Sequence, residues 1–293
     1  MKRIVQFLKQ RLLFYRNVDS SPFIRFAPPG HYYSPIPSEQ DVQRANQTKT
    51  VAIPAVDLRP SAQMQLVKEL SQFYKDIPFT VEPGKPLRYF YNNGFFQYSD
   101  AIFLHSIIKK LHPRRIIEVG SGFSSAVILD TVEQANLKPE LTFIEPYPER
   151  LKLLLKDTDA SYCKIIQSQV QDCDSAIFST LAAGDILLID SSHVSKAGSD
   201  VNHLIFKILP ILQAGVWIHI HDIMQDFEYY DFWFKEGRAW NEIYLLRAFL
   251  MYNNAFEVVL HVPYCVNQQA AWFKDNMPLC LKSPGGSFWL RKL

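Results

Sequence analysis

From Arg114 onward the chain alternates short, unbroken apolar runs with longer amphipathic ones. The runs RRIIEVG, ELTFIEP, YCKIIQSQV, DILLID and GVWIHIHDI are rich in Ile, Val and Leu and show no polar alternation, the pattern of strands buried on both faces. Between them FSSAVILDTVEQAN, YPERLKLLLKD, DSAIFSTLAA and DVNHLIFKILPIL carry helical spacing. Strands alternating with helices predict a parallel sheet covered on each side. WNEIYLLRAFLMYN adds a helix, and FEVVLHV and GSFWLRKL add two strands. The second of these follows Gly285 and Gly286, which suits a strand laid antiparallel at the side of the sheet.

The first third reads differently. Ile4, Phe7, Leu8, Leu12 and Phe14 sit among Lys and Arg and predict a basic amphipathic helix, docked on the protein itself or in weak contact with a membrane surface. Residues 17–60 are rich in Pro and Ser and predict irregular chain. A helix is expected over Ser61–Asp76, with Met64, Leu66, Val67, Leu70 and Phe73 apolar. Another is expected from an N-cap at Ser99 to His112-Pro113. The chain thus divides into an extension and cap, residues 1–88, and an α/β domain, residues 89–293.

Composition narrows the partners. A net charge of +2 on 293 residues, 20 % of them charged, gives no general attraction to nucleic acid. No apolar run reaches the roughly 18 residues of a membrane span. The four cysteines form no CxxC pair, which indicates reduced thiols in a cytoplasmic protein.

The candidate chemistry begins at EVGSGFSS. Glu118 ends the first strand, and Gly120-Ser121-Gly122 turns sharply into a helix, so backbone can approach a ligand closely. Glu145 ends the next strand, 27 positions after Glu118, where a carboxylate can accept both hydroxyls of a ribose. A dinucleotide would want a third glycine or alanine where Ser125 stands, and Glu118 would repel its phosphates. S-adenosylmethionine has an amino group, a sulfonium and no phosphate, and suits the acid.

EVGSGFSS, FIEP, LLIDSSH and HIHDI in this order resemble the class I S-adenosylmethionine-dependent methyltransferases. The nearest likeness is to an uncharacterised branch with the runs DSSHVSKAGSDVN and RAWNEIYLLRAFL. The resemblance covers roughly Tyr89 to the C-terminus. It implies a Rossmann-like, seven-stranded, mostly parallel sheet with its last strand antiparallel. It also implies S-adenosyl-L-methionine bound by Glu118, Gly120, Ser121, Gly122 and Asp190, with Glu145 on the ribose. Asp172 would meet the adenine amino group, and Tyr147 or Phe123 would cover the base.

On the acceptor side, Asp190 ends the fourth strand, His193 follows in a Ser-rich turn, and His221 and Asp222 end the fifth. Methyl transfer needs donor and acceptor aligned and a base for the acceptor's proton. His193 is the expected base, and the D-x-x-H turn of sugar-tailoring O-methyltransferases agrees. Asp190 and Asp222 could instead hold Mg²⁺, although Ile223 replaces the Asn usual after such an acid. His219 is expected to be packed. The aromatic stretch from Phe227 to Phe234 could form a lid. The expected activity is O-methylation of a small hydroxylated acceptor, a sugar or glycosylated metabolite. The competing readings are an NAD-dependent oxidoreductase or epimerase and a catalytically silent binding protein.

Overall fold

The computed structural model describes residues 25–50 and 52–293. The expected N-terminal amphipathic helix lies outside the described residues. The helices are α1 (Glu39–Gln47), α2 (Pro60–Leu70), α3 (Tyr98–Leu111), α4 (Phe123–Gln134), α5 (Glu149–Leu154), α6 (Asp200–His203), α7 (Asp231–Lys235), α8 (Glu242–Leu250), α9 (Val262–Gln268) and α10 (Ala270–Asn276). The strands are β1 (Arg115–Val119), β2 (Glu140–Ile144), β3 (Cys163–Ile166), β4 (Ile186–Ile189), β5 (Trp217–Ile220), β6 (Phe256–His261) and β7 (Phe288–Lys292).

The seven strands form one sheet in the order β3-β2-β1-β4-β5-β7-β6. Pairing is parallel from β3 through β5, and β7 runs antiparallel to both β5 and β6. The register aligns the strand ends. Val119 pairs with Ile144 and Ile189, and Ile189 pairs with Ile220. The next residues, Gly120, Glu145, Asp190 and His221, therefore emerge at one level along the carboxyl edge.

Every residue of β4 and β5 is buried, the outcome the unbroken apolar runs predict. Each fully buried aliphatic chain there stabilises the fold by about 1.5–3 kcal/mol. The expected helix over 200–212 is α-helical only over its first four residues. It continues as a π turn at Leu204–Ile208 and a 3₁₀ turn at Leu209–Ile211, where Pro210 removes a backbone donor.

Two compact units are present. One comprises residues 50–229 and 240–293 and contains the whole sheet. Residues 50–88 share its core: Val67, Leu70 and Phe79 are buried in one cluster with Ile116, Phe143 and Trp289. These residues of the expected extension thus pack within the sheet unit. The other unit holds residues 25–49 together with Tyr230–Ala239.

Three local expectations are corrected. Helix α1 forms inside the stretch expected to be irregular, because Ser38 and Asp41 make a reciprocal capping box. Ser99 does not cap α3; it lies within the helix and donates its hydroxyl to the Cys280 carbonyl at 2.9 Å, while Gln97 occupies the cap position. Helices α9 and α10 fill the segment between β6 and β7, where no element was expected. All four cysteines are unpaired thiols, with Cys265 and Cys280 buried.

Candidate active site

The glycine turn after β1 is shaped by what lies beside it. Gly120 has φ +81°, and a Cβ there would sit 1.8 Å from the Asp190 carbonyl oxygen, so neither the backbone angle nor the space admits a side chain. The Asp190 amide also donates to Val119 at 2.9 Å, which fastens the tip of β4 to the tip of β1. Beneath the turn Glu118 is fully buried and accepts from the Ser125 hydroxyl. Its Oε1 has no hydrogen-bond partner among the described residues. Burial pushes the Glu118 carboxyl up to about 8; hydroxyls of Ser124 and Ser125 oppose this, and the charges of Asp190 and Glu145 add to it.

Glu145 accepts from the Ser121 amide at 3.1 Å and from the Tyr147 amide at 2.8 Å, which points its carboxylate across the turn. An open cleft of about 500 Å³ runs along these tips, lined by Gly120, Glu145, Tyr147, Gln171, Asp190 and Lys196 among others. Gln169, Val170 and Gln171 supply the wall after β3, and exposed Asp172 is not part of it. Gln171, on this wall, has its Oε1 buried without a partner among the described residues. Tyr147, 77 % exposed, lines the cleft. Phe123 instead stacks on Phe95 at 5.9 Å and meets Phe90 edge-on at 5.5 Å, so the aromatic segment before α3 closes over the start of α4.

At the far end of the cleft lies a chain of alternating acids and imidazoles. His193 Nε2 is 3.4 Å from Asp190 and 3.5 Å from Asp222, while its Nδ1 is 2.8 Å from Glu242. His221 Nδ1 is 3.5 Å from Asp190 and 3.6 Å from Asp222, and its Nε2 is 3.5 Å from Asp100. Both imidazoles are buried. Burial works against their charge and is outweighed by the carboxylates. His193 is raised to about 10 through hydrogen bonds to Asp190 and Glu242, and His221 well above its usual value by Asp222 and Asp190. Burial also opposes the charge of Asp190, yet the two imidazoles hold its carboxyl well below the usual range. His193 and Asp222 both adopt left-handed backbone, at φ +59° and +58°. Such residues cost on the order of 1–3 kcal/mol and persist where surrounding contacts fix them.

The sequence singles out Asp190, His193, His221 and Asp222, and the fold joins them. Asp100 and Glu242 are members that sequence reasoning missed. Asp100 comes from α3, where the Gly286 and Ser287 amides and the Ser287 hydroxyl all donate to it. Glu242 lies in the quoted RAWNEIYLLRAFL run, and that run was the available signal. His219 is packed as expected: its Nε2 lies 2.9 Å from the Ser287 hydroxyl, and burial lowers it to about 3, so it stays neutral. Phe227 and Tyr229 are buried within the sheet unit, whereas residues 230–234 belong to the other unit.

Asp190 and Asp222, the two acids expected at a Mg²⁺ site, come together, each within 3.6 Å of the imidazoles of His193 and His221. Among the described residues no group of three or more His, Cys, Asp or Glu side chains has metal-holding geometry.

The strand order with its one reversed strand, and the acid-glycine tips beneath an open cleft, define the class I methyltransferase architecture. A family model described as a methyltransferase domain matches residues 117–223. An uncharacterised protein of Archaeoglobus fulgidus is 31 % identical over 190 residues, covering 61 % of this chain and 84 % of that protein. The chain belongs to the family of that archaeal protein and is a class I S-adenosylmethionine-dependent methyltransferase. Among solved structures, the Podospora anserina methyltransferase PaMTH1 bound to S-adenosylhomocysteine is 13 % identical, with a TM-score of 0.45, covering 87 % of this chain and 97 % of that one. The O-methyltransferase TomG of Streptomyces achromogenes, solved with S-adenosylmethionine, is 14 % identical, with a TM-score of 0.43, covering 87 % and 96 %. At these scores the likeness adds nothing to the strand order. Among the described residues no helix is long and apolar enough to cross a membrane.

Proposed function

We propose that this enzyme O-methylates a small hydroxylated acceptor, a sugar or glycosylated metabolite in the cytoplasm, using S-adenosyl-L-methionine held in the cleft along the strand tips. The observation that carries the reading is Asp190, which lines the cofactor cleft and also touches His193. One residue thus links the place of the methyl donor to the place of a base.

When bound, S-adenosylmethionine supplies a methyl group on a sulfonium. Glu145 receives the ribose hydroxyls, exchanging its present backbone donors for them. Buried Glu118, beneath the backbone of Gly120, Ser121 and Gly122, attracts the amino group. Gln171 and Tyr147 accommodate the adenine. His193 Nε2 takes the acceptor's hydroxyl proton as oxygen forms its bond to carbon and the carbon–sulfur bond breaks. Asp190, Asp222 and Glu242 raise the proton affinity of His193; a sulfonium held beside the ring would oppose that effect and favour the neutral form a base requires. The Glu118 carboxylate disfavours a dinucleotide in the same turn.

Calorimetry with S-adenosylmethionine and a methyl-transfer assay against a panel of sugars test the reading. Micromolar cofactor binding and product formation, with His193→Ala inactive but still binding cofactor, support it. No binding at millimolar cofactor, or full turnover in His193→Ala, would overturn it. Turnover that EDTA abolishes and Mg²⁺ restores would replace the histidine scheme with a metal-assisted one.

A further inference from the structure

The two sequence runs that carry the family likeness meet in space, and their junction has a purpose of its own. From the geometry we infer that Trp240-Asn241-Glu242 is a clamp, and that Glu242 is the positioning residue that fixes the ring of His193. The inference rests on the base role proposed for His193 and adds the group that aims it.

The clamp grips both backbone and side chain. The amides of Asn241 and Glu242 donate to the His193 carbonyl at 3.0 and 3.1 Å. The Asn241 side chain accepts from the Ser195 amide at 2.6 Å and donates to the Ser195 carbonyl at 3.2 Å. Together these contacts hold the turn in which His193 adopts left-handed backbone. The Trp240 ring lies 4.5 Å from the imidazole and limits its tilt.

Glu242 completes the grip. Its Oε2 is 2.8 Å from His193 Nδ1, and its Oε1 accepts from the Ser191 hydroxyl at 3.3 Å. An acid in the first turn of a helix ordinarily serves that helix's own amides. This one is turned away toward His193 and is only 2 % exposed. Burying a carboxylate is costly unless a charged or hydrogen-bonded partner compensates, and here that partner is the imidazole. With Nδ1–H committed to Glu242, the ring can present only Nε2 to Asp190, Asp222 and the cleft. The opposite tautomer would turn a bare Nδ1 toward Glu242 Oε2, and a flipped ring would take Nε2 away from Asp190 and Asp222.

The first arm of the test needs no acceptor. Histidine ring nitrogens of the ¹⁵N-labelled full chain are observed by long-range proton–nitrogen NMR, with and without S-adenosylmethionine as the probe. The expected result is a His193 Nδ1 proton that is shifted downfield and slow to exchange in both states. It should be lost in Glu242→Gln and retained, weakened, in Glu242→Asp. In the sugar assay Glu242→Gln should lower kcat by about 10²-fold or more while acceptor KM and cofactor Kd stay within about threefold, with partial rescue in Glu242→Asp. A wild-type His193 lacking the Nδ1 proton signal overturns the inference whatever the variants do, as does a Glu242→Gln protein with unchanged ring signals and kcat. If His193→Ala is inactive and Glu242→Gln is not impaired, the clamp alone is wrong. If cofactor fails to bind the wild type, the underlying reading is wrong.

Discussion

Gly120 and the Asp190 carbonyl are packed so closely that a single added methyl group would lie 1.8 Å from that oxygen. The contact joins the turn expected to cradle the cofactor to the strand end that carries Asp190 toward His193. Gly120→Ala should therefore separate the tips of β1 and β4, besides placing a side chain at φ +81°, a strain of about 1–3 kcal/mol. The expected outcome is a lower melting temperature together with loss of S-adenosylmethionine binding by calorimetry. A stable Gly120→Ala protein with unchanged affinity would show that the tips can part without harm.

Cofactor affinity should depend on pH through Glu118. With burial pushing its carboxyl up to about 8, the group is largely neutral at pH 6 and becomes anionic as pH rises. The anion is the form that attracts an ammonium group. Affinity for S-adenosylmethionine should accordingly increase between about pH 6 and 7.5, by up to about tenfold per unit, with proton release visible as a buffer-dependent binding enthalpy. Glu118→Gln should flatten the profile. A flat profile in the wild type would place the ammonium elsewhere.

Loss of the Glu145 carboxylate should weaken binding without touching the acid-imidazole chain. Glu145→Ala removes charge-assisted hydrogen bonds to the ribose, about 1.5–3 kcal/mol of cofactor affinity. Calorimetry is the measurement, and an unchanged dissociation constant would remove Glu145 from the ribose site.

Stability should fall on both sides of neutrality. His193 and His221 have folded values above the ordinary 6.5, so their contribution is complete below that value and is lost as pH rises, for His193 through about 10. His105, His219 and His261 are held neutral by burial at about 4, 3 and 4. Their contribution is complete above 6.5 and is lost as pH falls toward those values. Thermal melts should show a maximum near neutrality, and His193→Gln should blunt the alkaline decline. A melting temperature constant from pH 7 to 10 would contradict the charged-imidazole description.

Arg88 should be a stability hub with no part in catalysis. Its guanidinium pairs with Asp130 at 2.7 Å and with Asp159, all three side chains being at most 1 % exposed, and also reaches Glu133. The Arg88 and Tyr89 amides donate to Asp130 as well. Removing the arginine strands two buried carboxylates, so Arg88→Ala should cost about 3–5 kcal/mol in denaturant unfolding. A loss under about 1 kcal/mol would mean that water replaces it.

The pattern of apolar runs made the strands and their succession legible, because a strand buried on both faces must be apolar along its whole length. The glycine turn and the acids at strand ends were legible for a similar local reason: they sit where one element stops and the next begins. Helix α1 was obscured by the prolines and serines around it, although Ser38 and Asp41 carried a cap signal. Asp172 was chosen by position; in the fold Gln171 lines the cleft and Asp172 is exposed.

The sequence by itself determined the alternation of elements, the carboxyl-edge tips and the identity of most polar groups on them, since these follow from periodicity and local turn chemistry. Only the tertiary structure decided that β1 lies between β2 and β4, which brings Gly120, Glu145 and Asp190 to one cleft, with Glu118 buried beneath it. It alone placed Glu242, 49 positions away, on His193, and Asp100 of α3 beside His221. The physical reason is that a buried charge needs an opposite partner in space, and the backbone can deliver that partner from any distance along the chain.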